Sequence, residues 1–150
     1  MHAMVSCISA GEAAESSSAH HRHAMILRRL ERLLEANPDR TLYVAELCGT
    51  AGASARTLRT CCQEHLGMSP ARYLWLRRMH LARRALRMAD PAPATVTEVA
   101  TSYGFWELGR FSVAYRSLFG ESPSAALRRP PEDSRPQKNT ASPWQLPESA

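Results

Sequence analysis

The chain carries one pattern twice. Residues 47–70 read LCGTAGASARTLRTCCQEHLGMSP, and residues 99–123 read VATSYGFWELGRFSVAYRSLFGESP. Leu47 falls on Val99 and Gly52 on Gly104. After a one-residue insertion in the second copy, Leu58 falls on Phe111, Cys62 on Tyr115, Leu66 on Phe119, Gly67 on Gly120, and Ser69-Pro70 on Ser122-Pro123. Identities are few, but apolar positions meet apolar positions and the glycine and proline punctuation agrees. A short helix, a glycine-containing turn, a longer helix and a glycine stop make the layout of a helix-turn-helix unit. In such a unit the first helix and the turn form a platform. The second helix packs its inner face on it (Leu58 and Cys62, or Phe111, Tyr115 and Phe119) and leaves its outer face free to enter a major groove. A two-helix hairpin without a nucleic-acid role has a similar layout in many bundles. Two copies with basic outer faces argue against that simpler reading.

Almost everything from residue 24 to 128 fits helical spacing, and no strand pattern is evident. AMILRRLERLLEANPDR sets Ile26, Leu27, Leu30, Leu33 and Leu34 on one face with arginines and glutamates opposite, and Asn37-Pro38 stops it. A short helix is expected from about Leu42 to Thr50, with Ser54 placed to cap the next one. PARYLWLRRMHLARRALRMAD predicts a long helix with Tyr73, Leu74, Met79, Ala82 and Leu86 inward, capped by Ser69, begun by Pro70 and ending near Asp90-Pro91. Thr95 with Glu98 three residues on is a capping-box pattern. A further helix is expected from about Glu107 to Phe119, after which Ser122-Pro123 repeats the cap-and-proline start.

The flanks lack such patterns. Residues 1–23 are rich in Ala, Ser and His and read as a disordered tail, and residues 129–150 read as a disordered Pro-rich tail that includes Trp144. The start of the chain does not read as a signal peptide, and no stretch approaches the roughly 20 apolar residues needed to span a bilayer. A reducing cytoplasm with free thiols is therefore the expected setting, with no membrane partner.

Basic charge comes almost wholly from arginine: 18 Arg against one Lys in a chain of net charge +5. Within residues 24–128 there are 15 Arg and 9 Asp+Glu, a difference of +6. Arginine is the side chain best suited to bidentate contacts with phosphates and guanine edges.

These residues resemble the DNA-binding domain of the AraC/XylS family of bacterial transcriptional regulators. The resemblance covers about residues 24–128. Its most specific segment is GFWELGRFSVAYRSLFGESP, and HLGMSPARYLWLRRMHLARRAL is similar to the family's linker, with Tyr73, Arg78, Ala82 and Leu86 at pattern positions. The resemblance implies an all-α fold of about seven helices, in which two homeodomain-like helix-turn-helix subdomains are joined by a long linker helix. It also implies sequence-specific binding of double-stranded promoter DNA, with the two recognition helices in successive major grooves. A linker of about 19 residues runs on the order of 28 Å, against about 34 Å between successive grooves. Carried over by position, base contacts fall on Arg56, Arg59 and Thr60 in the first unit, and on Gly109, Arg110 and Val113 in the second. Arg116 lies among the residues left for DNA, and Glu107 is placed to accept from a cytosine amino group.

The chain departs from the family pattern at two places. Cys61 and Cys62 stand where the family has an apolar residue followed by Phe, so a looser first core is expected. Gly109 and Val113 offer bases no side-chain hydrogen bond, which makes the second unit the less informative reader. Family regulators carry a separate effector-sensing or dimerisation domain. In this chain no sensor domain is expected, since only about 23 unpatterned residues precede the match, and a stand-alone binder and the C-terminal piece of a longer regulator both stay open.

Other constellations are weaker. Cys61, Cys62 and His65 lie within one helical turn, but Cys62 falls on Tyr115 in the repeat and so reads as core rather than as a metal or redox site. HHRH at residues 20–23 falls in the expected tail. Arg83, Arg84 and Arg87 read as a solvated helix face, and Trp75 and Trp106 as packing residues, with a lean on the sugar-phosphate backbone as the alternative for Trp106 just before the second recognition helix. No catalytic set, cofactor loop or metal site has a credible spacing, so no enzyme is expected. The alternative to a DNA reader is a protein-interaction module of the same fold, docking on RNA polymerase or on a full-length relative.

Overall fold

A computed structural model describes residues 3–90 and 94–129. The described residues form seven helices and no strand. They divide into two compact units, one holding residues 3–38 and 43–70, the other residues 39–42, 71–90 and 94–129. The Pro-rich segment, Trp144 included, lies outside the described residues from 130 onward.

The first unit consists of α1 (Ala3–Ala36), α2 (Val44–Ala51) and α3 (Ala55–Leu66). On α1, Ile26, Leu27, Leu30 and Leu34 are buried as the spacing predicts, while Leu33 is only half-buried. The helix stops before Asn37-Pro38 because proline blocks helical continuation. Its start differs from expectation. Residues 3–23, read as a disordered tail, are the leading part of this same helix. Alanine is the strongest helix former, and apolar periodicity marks where a helix packs rather than where it begins.

α2 buries Leu47 and Ala51 and starts two residues later than expected. Its first turn is tied by Glu46, whose carboxylate accepts from the Tyr43 backbone N–H at 2.9 Å. α3 starts at the expected cap, where the Ser54 hydroxyl accepts from Thr57 N–H at 3.2 Å. It turns Leu58, Cys61 and Cys62 inward, all at 0% exposure, so the two small thiols are fully enclosed.

The second unit holds α4 (Pro70–Met88) from residue 71 on, then α5 (Val96–Ser102), α6 (Leu108–Phe119) and α7 (Pro123–Arg128). Met79, Ala82 and Leu86 of α4 join Ala100, Phe105, Phe111, Tyr115, Ala126 and Leu127 in one core, and Tyr73 is half-buried. Phe111, Tyr115 and Phe119, spaced by four, stack down α6 with ring centroids 5.6 and 4.7 Å apart, and Phe105 extends the row at 4.9 Å. Such tilted and edge-on aromatic pairs add about 0.5–1.5 kcal/mol each beyond their buried area.

Besides that at Ser54, the caps predicted at Thr95 and Ser122 are formed. Thr95 N–H donates to Glu98 Oε2 at 2.9 Å and Glu98 N–H to Thr95 Oγ1 at 3.1 Å, a complete capping box. Ser122 Oγ accepts from Ala125 N–H at 3.1 Å, with Pro123 following.

The repeat is physical. Among the described residues the positive φ angles belong to Gly52 (+64°), Gly67 (+65°), Gly104 (+76°) and Gly120 (+73°), the two glycine pairs that the alignment matches. Each occupies the left-handed region that a β-carbon disfavours. The inserted residue can also be placed. The first turn runs Gly52, Ala53, Ser54 into α3, and the second runs Gly104, Phe105, Trp106, Glu107 into α6. Trp106 lies in the longer turn.

Candidate nucleic-acid interface

On α3, Arg56, Arg59 and Thr60 are all exposed, on the side opposite Leu58, Cys61 and Cys62. Thr60 Oγ1 donates back to the Arg56 carbonyl at 3.2 Å, which holds that hydroxyl against its own helix. Among the described residues neither the Arg56 nor the Arg59 guanidinium takes a hydrogen-bond or ion-pair partner. Two cations stand free on the outer face of a helix whose inner face is fully enclosed.

On α6, Gly109, Arg110, Val113 and Arg116 are exposed, and so is Glu107 at the N-cap. Arg110 and Glu107 are paired with each other, Nε to Oε2 at 3.0 Å. Both are largely solvated, and a pair of this kind contributes a few tenths of a kcal/mol. Glu107 therefore makes no side-chain cap, in contrast to Ser54. All eight residues expected to face DNA thus lie on the surface of one helix or the other.

Trp106 corrects the expectation of a packing residue. It is 77% exposed and lines a depression of about 300 Å³ together with Trp75, Phe105, Glu107 and Arg110. Trp75 packs partly against the core, with the Arg72 guanidinium 4.3 Å above its ring. The sequence carried one signal for this: Trp106 lies in the turn that is one residue longer than its counterpart.

Arg83 is a second correction. It lies not on a solvated face but half-buried, its guanidinium 4.6 Å from the Phe119 ring and 3.5 Å from Glu121 Oε1. Glu121 also meets Arg129 at 3.2 Å. Burial, then the Glu121 carboxylate, pushes the neighbouring Tyr115 hydroxyl up to about 12. Arg84 is exposed and pairs with Asp39 at 2.9 Å, while Arg87 is half-buried. The sequence held no cue for Arg83, because its partners lie 36 and 38 positions away.

Sequence reasoning also missed a basic recess beside the first turn. His21, Arg22 and Arg29 of α1 line a pocket of about 460 Å³ with Ala51, Gly52, Ala53 and Thr57. Arg29 donates to the Ala51 carbonyl at 3.0 Å. His23 Nδ1 lies 2.9 Å from Glu64 Oε2, so part of HHRH is attached to α3.

The thiols are core groups. Burial, followed by the nearby Cys61 and Cys48, pushes Cys62 up to about 12, and burial also raises Cys61. A nucleophilic or metal-binding thiol needs the opposite shift. Among the described residues no group of His, Cys, Asp or Glu could hold a metal ion, and no helix is long and apolar enough to cross a membrane.

A family model described as a helix-turn-helix domain matches residues 47–129, a span that includes both repeats. A solved structure of a probable AraC family transcriptional regulator from Rhodopseudomonas palustris is 37% identical. It covers 69% of this chain and 95% of its own, with a TM-score of 0.58. The chain belongs to the AraC/XylS family. Its match is to the C-terminal DNA-binding domain of that family, which comprises transcriptional regulators rather than enzymes. The probable thc operon regulatory protein of Rhodococcus erythropolis is 42% identical over 106 residues, covering 71% of this chain and 32% of the relative. XylDLEGF operon transcriptional activator 1 of Pseudomonas putida is 37% identical over 114 residues, covering 72% and 34%. The chain spans about a third of the length of these curated relatives.

Proposed function

We propose that this AraC/XylS-family chain binds duplex DNA at specific sequences and regulates transcription, with α3 and α6 each entering a major groove. The observation that carries the reading is the repeat. Two units with matched left-handed glycines each enclose one face of their second helix and expose the other, and both exposed faces carry arginine. The nineteen residues of α4 separate the units in the chain and give a helix about 28 Å long at 1.5 Å per residue. That length favours successive grooves of a slightly bent duplex, about 34 Å apart. Phosphate contacts supply most of the affinity and make it salt-dependent, while base contacts select the site. The names of the relatives, an operon regulator and an operon activator, support the same reading.

Arg59 is the base-reading group we assign to the first unit; its guanidinium, like that of Arg56, is exposed and unengaged. The decisive experiment selects bound duplexes from a random library and titrates wild type and Arg59→Ala against the selected site. The expected loss is about 1–3 kcal/mol at one base pair, with preference relaxed there. An equal loss on random DNA would assign Arg59 to a phosphate instead. A different reading, a protein-interaction module docking on RNA polymerase, draws on Gly109 and Val113, which offer bases no hydrogen bond. Tight, competitor-resistant binding to one duplex site excludes it.

A further inference from the structure

The exposed side of α6 carries an apolar spot among its arginines, where a DNA reader is usually polar. Val113 is 73% exposed and Trp106, just before the N-cap, 77%. A β-carbon at Gly109 would meet nothing within 4 Å. Arg110 and Arg116 flank Val113 by three positions on either side and are both exposed, so the apolar spot lies between two cations. Of the groups that base pairs present in the major groove, the thymine C5-methyl is the apolar one. Neither Gly109 nor Val113 has a side chain that can hydrogen-bond a base, yet a methyl contact suits both. Valine provides the apolar surface, and glycine lets the helix backbone come close.

We propose that the second unit reads thymine methyl groups, through Val113 beside the bare backbone at Gly109, with Trp106 as the second apolar contact at the N-terminal end of the helix. The inference rests on the DNA-binding reading above. The flanking guanidiniums favour a polyanion over an apolar protein surface as the occupant, since both would sit against phosphates when Val113 faces the base edges.

The test uses the full chain and a duplex taken from the library selection. Each thymine of the half-site bound by the second unit is replaced singly by deoxyuracil, which removes the methyl group and leaves every hydrogen-bonding group in place. Dissociation constants are read by fluorescence anisotropy for wild type, Val113→Ala and Trp106→Ala. Wild type should lose about fourfold in affinity at one or two positions, the effect of leaving one carbon unburied. That thymine-over-uracil preference should collapse towards one in at least one variant, while the salt dependence stays as in wild type. Both side chains are exposed, so neither variant should lower the melting temperature, and Val113→Ala should raise it slightly through helix propensity. Sequence-specific binding that ignores every thymine-to-uracil change overturns the inference and leaves the DNA-binding reading standing. A preference that survives unchanged in both variants also overturns it. Failure to select any sequence overturns both.

Discussion

Gly109→Ala is expected to stabilise the second unit while weakening its hold on DNA. Gly109 is the second residue of α6, its φ is not in the left-handed region, and no neighbouring side chain or other element lies within 4 Å of where a β-carbon would go. The added methyl therefore meets no strain and removes part of the entropy cost of a helical glycine, a gain of at most about 0.5–1 kcal/mol, the helix-interior value. For a domain of this size that corresponds to a rise in melting temperature of about 2–8 °C. Circular dichroism melts measure the gain, and anisotropy on the selected site measures the binding. The other glycines supply the internal scale. Gly67→Ala also finds open space but sits at φ +65°, and should lose about 1–2 kcal/mol. Gly52→Ala adds a clash, its β-carbon meeting Arg29 Nη1 at 3.2 Å, and threatens that guanidinium's hydrogen bond to Ala51. It should lose roughly another 0.5–1.5 kcal/mol. A melting temperature lowered by Gly109→Ala would refute the reasoning, because it would mean that something already covers the outer face of α6.

Tyr115→Ala should cost about 3–5 kcal/mol, since a large ring at 0% exposure leaves a cavity between Phe111 and Phe119. Tyr115→Phe should be near neutral or slightly stabilising in urea titrations, because the buried hydroxyl has no well-formed hydrogen bond beside the Arg83 guanidinium. Thr95→Ala removes half of the capping box and should lower stability by about 0.5–2 kcal/mol. Alkaline pH should destabilise the first unit. Cys62 is raised from 9.0 to about 12, so the unfolded chain releases that proton first. Stability should hold below pH 9 and fall between pH 9 and 12 by up to about 1.4 kcal/mol per pH unit. Tyr115 adds to the fall above pH 10. Denaturation of Cys62→Val across that range should show a shallower slope.

The helices, their caps and the inward stripes were legible in the sequence because each is local: an apolar period, a serine or threonine before it, a glycine or proline after it. The two-unit layout was legible because it occurs twice. Three features were not. The length of α1 was hidden because residues 3–23 have helical composition without an amphipathic face. Arg83 was hidden because its position is set by Phe119 and Glu121, residues remote in the chain. Trp106 was misjudged because an aromatic next to a core phenylalanine normally packs, whereas here Phe105 is buried and Trp106 is exposed. The expected DNA-facing residues were found exposed because the repeat fixes which side of each helix is inner. The pairing of Arg110 with Glu107 depends on rotamers that spacing alone does not specify.

The enclosure of Cys61 and Cys62 makes the two units separately observable in one chain. The four cysteines all lie within residues 1–70, whereas Trp75 and Trp106 belong to the second unit and Trp144 follows it. Thiol labelling at Cys61 and Cys62 clocks the opening of the first reader. With Trp144→Phe as background, indole fluorescence follows the second. Whether the two halves melt together or in turn can thus be read from residues the chain already carries, with one tryptophan replaced and no reporter group introduced.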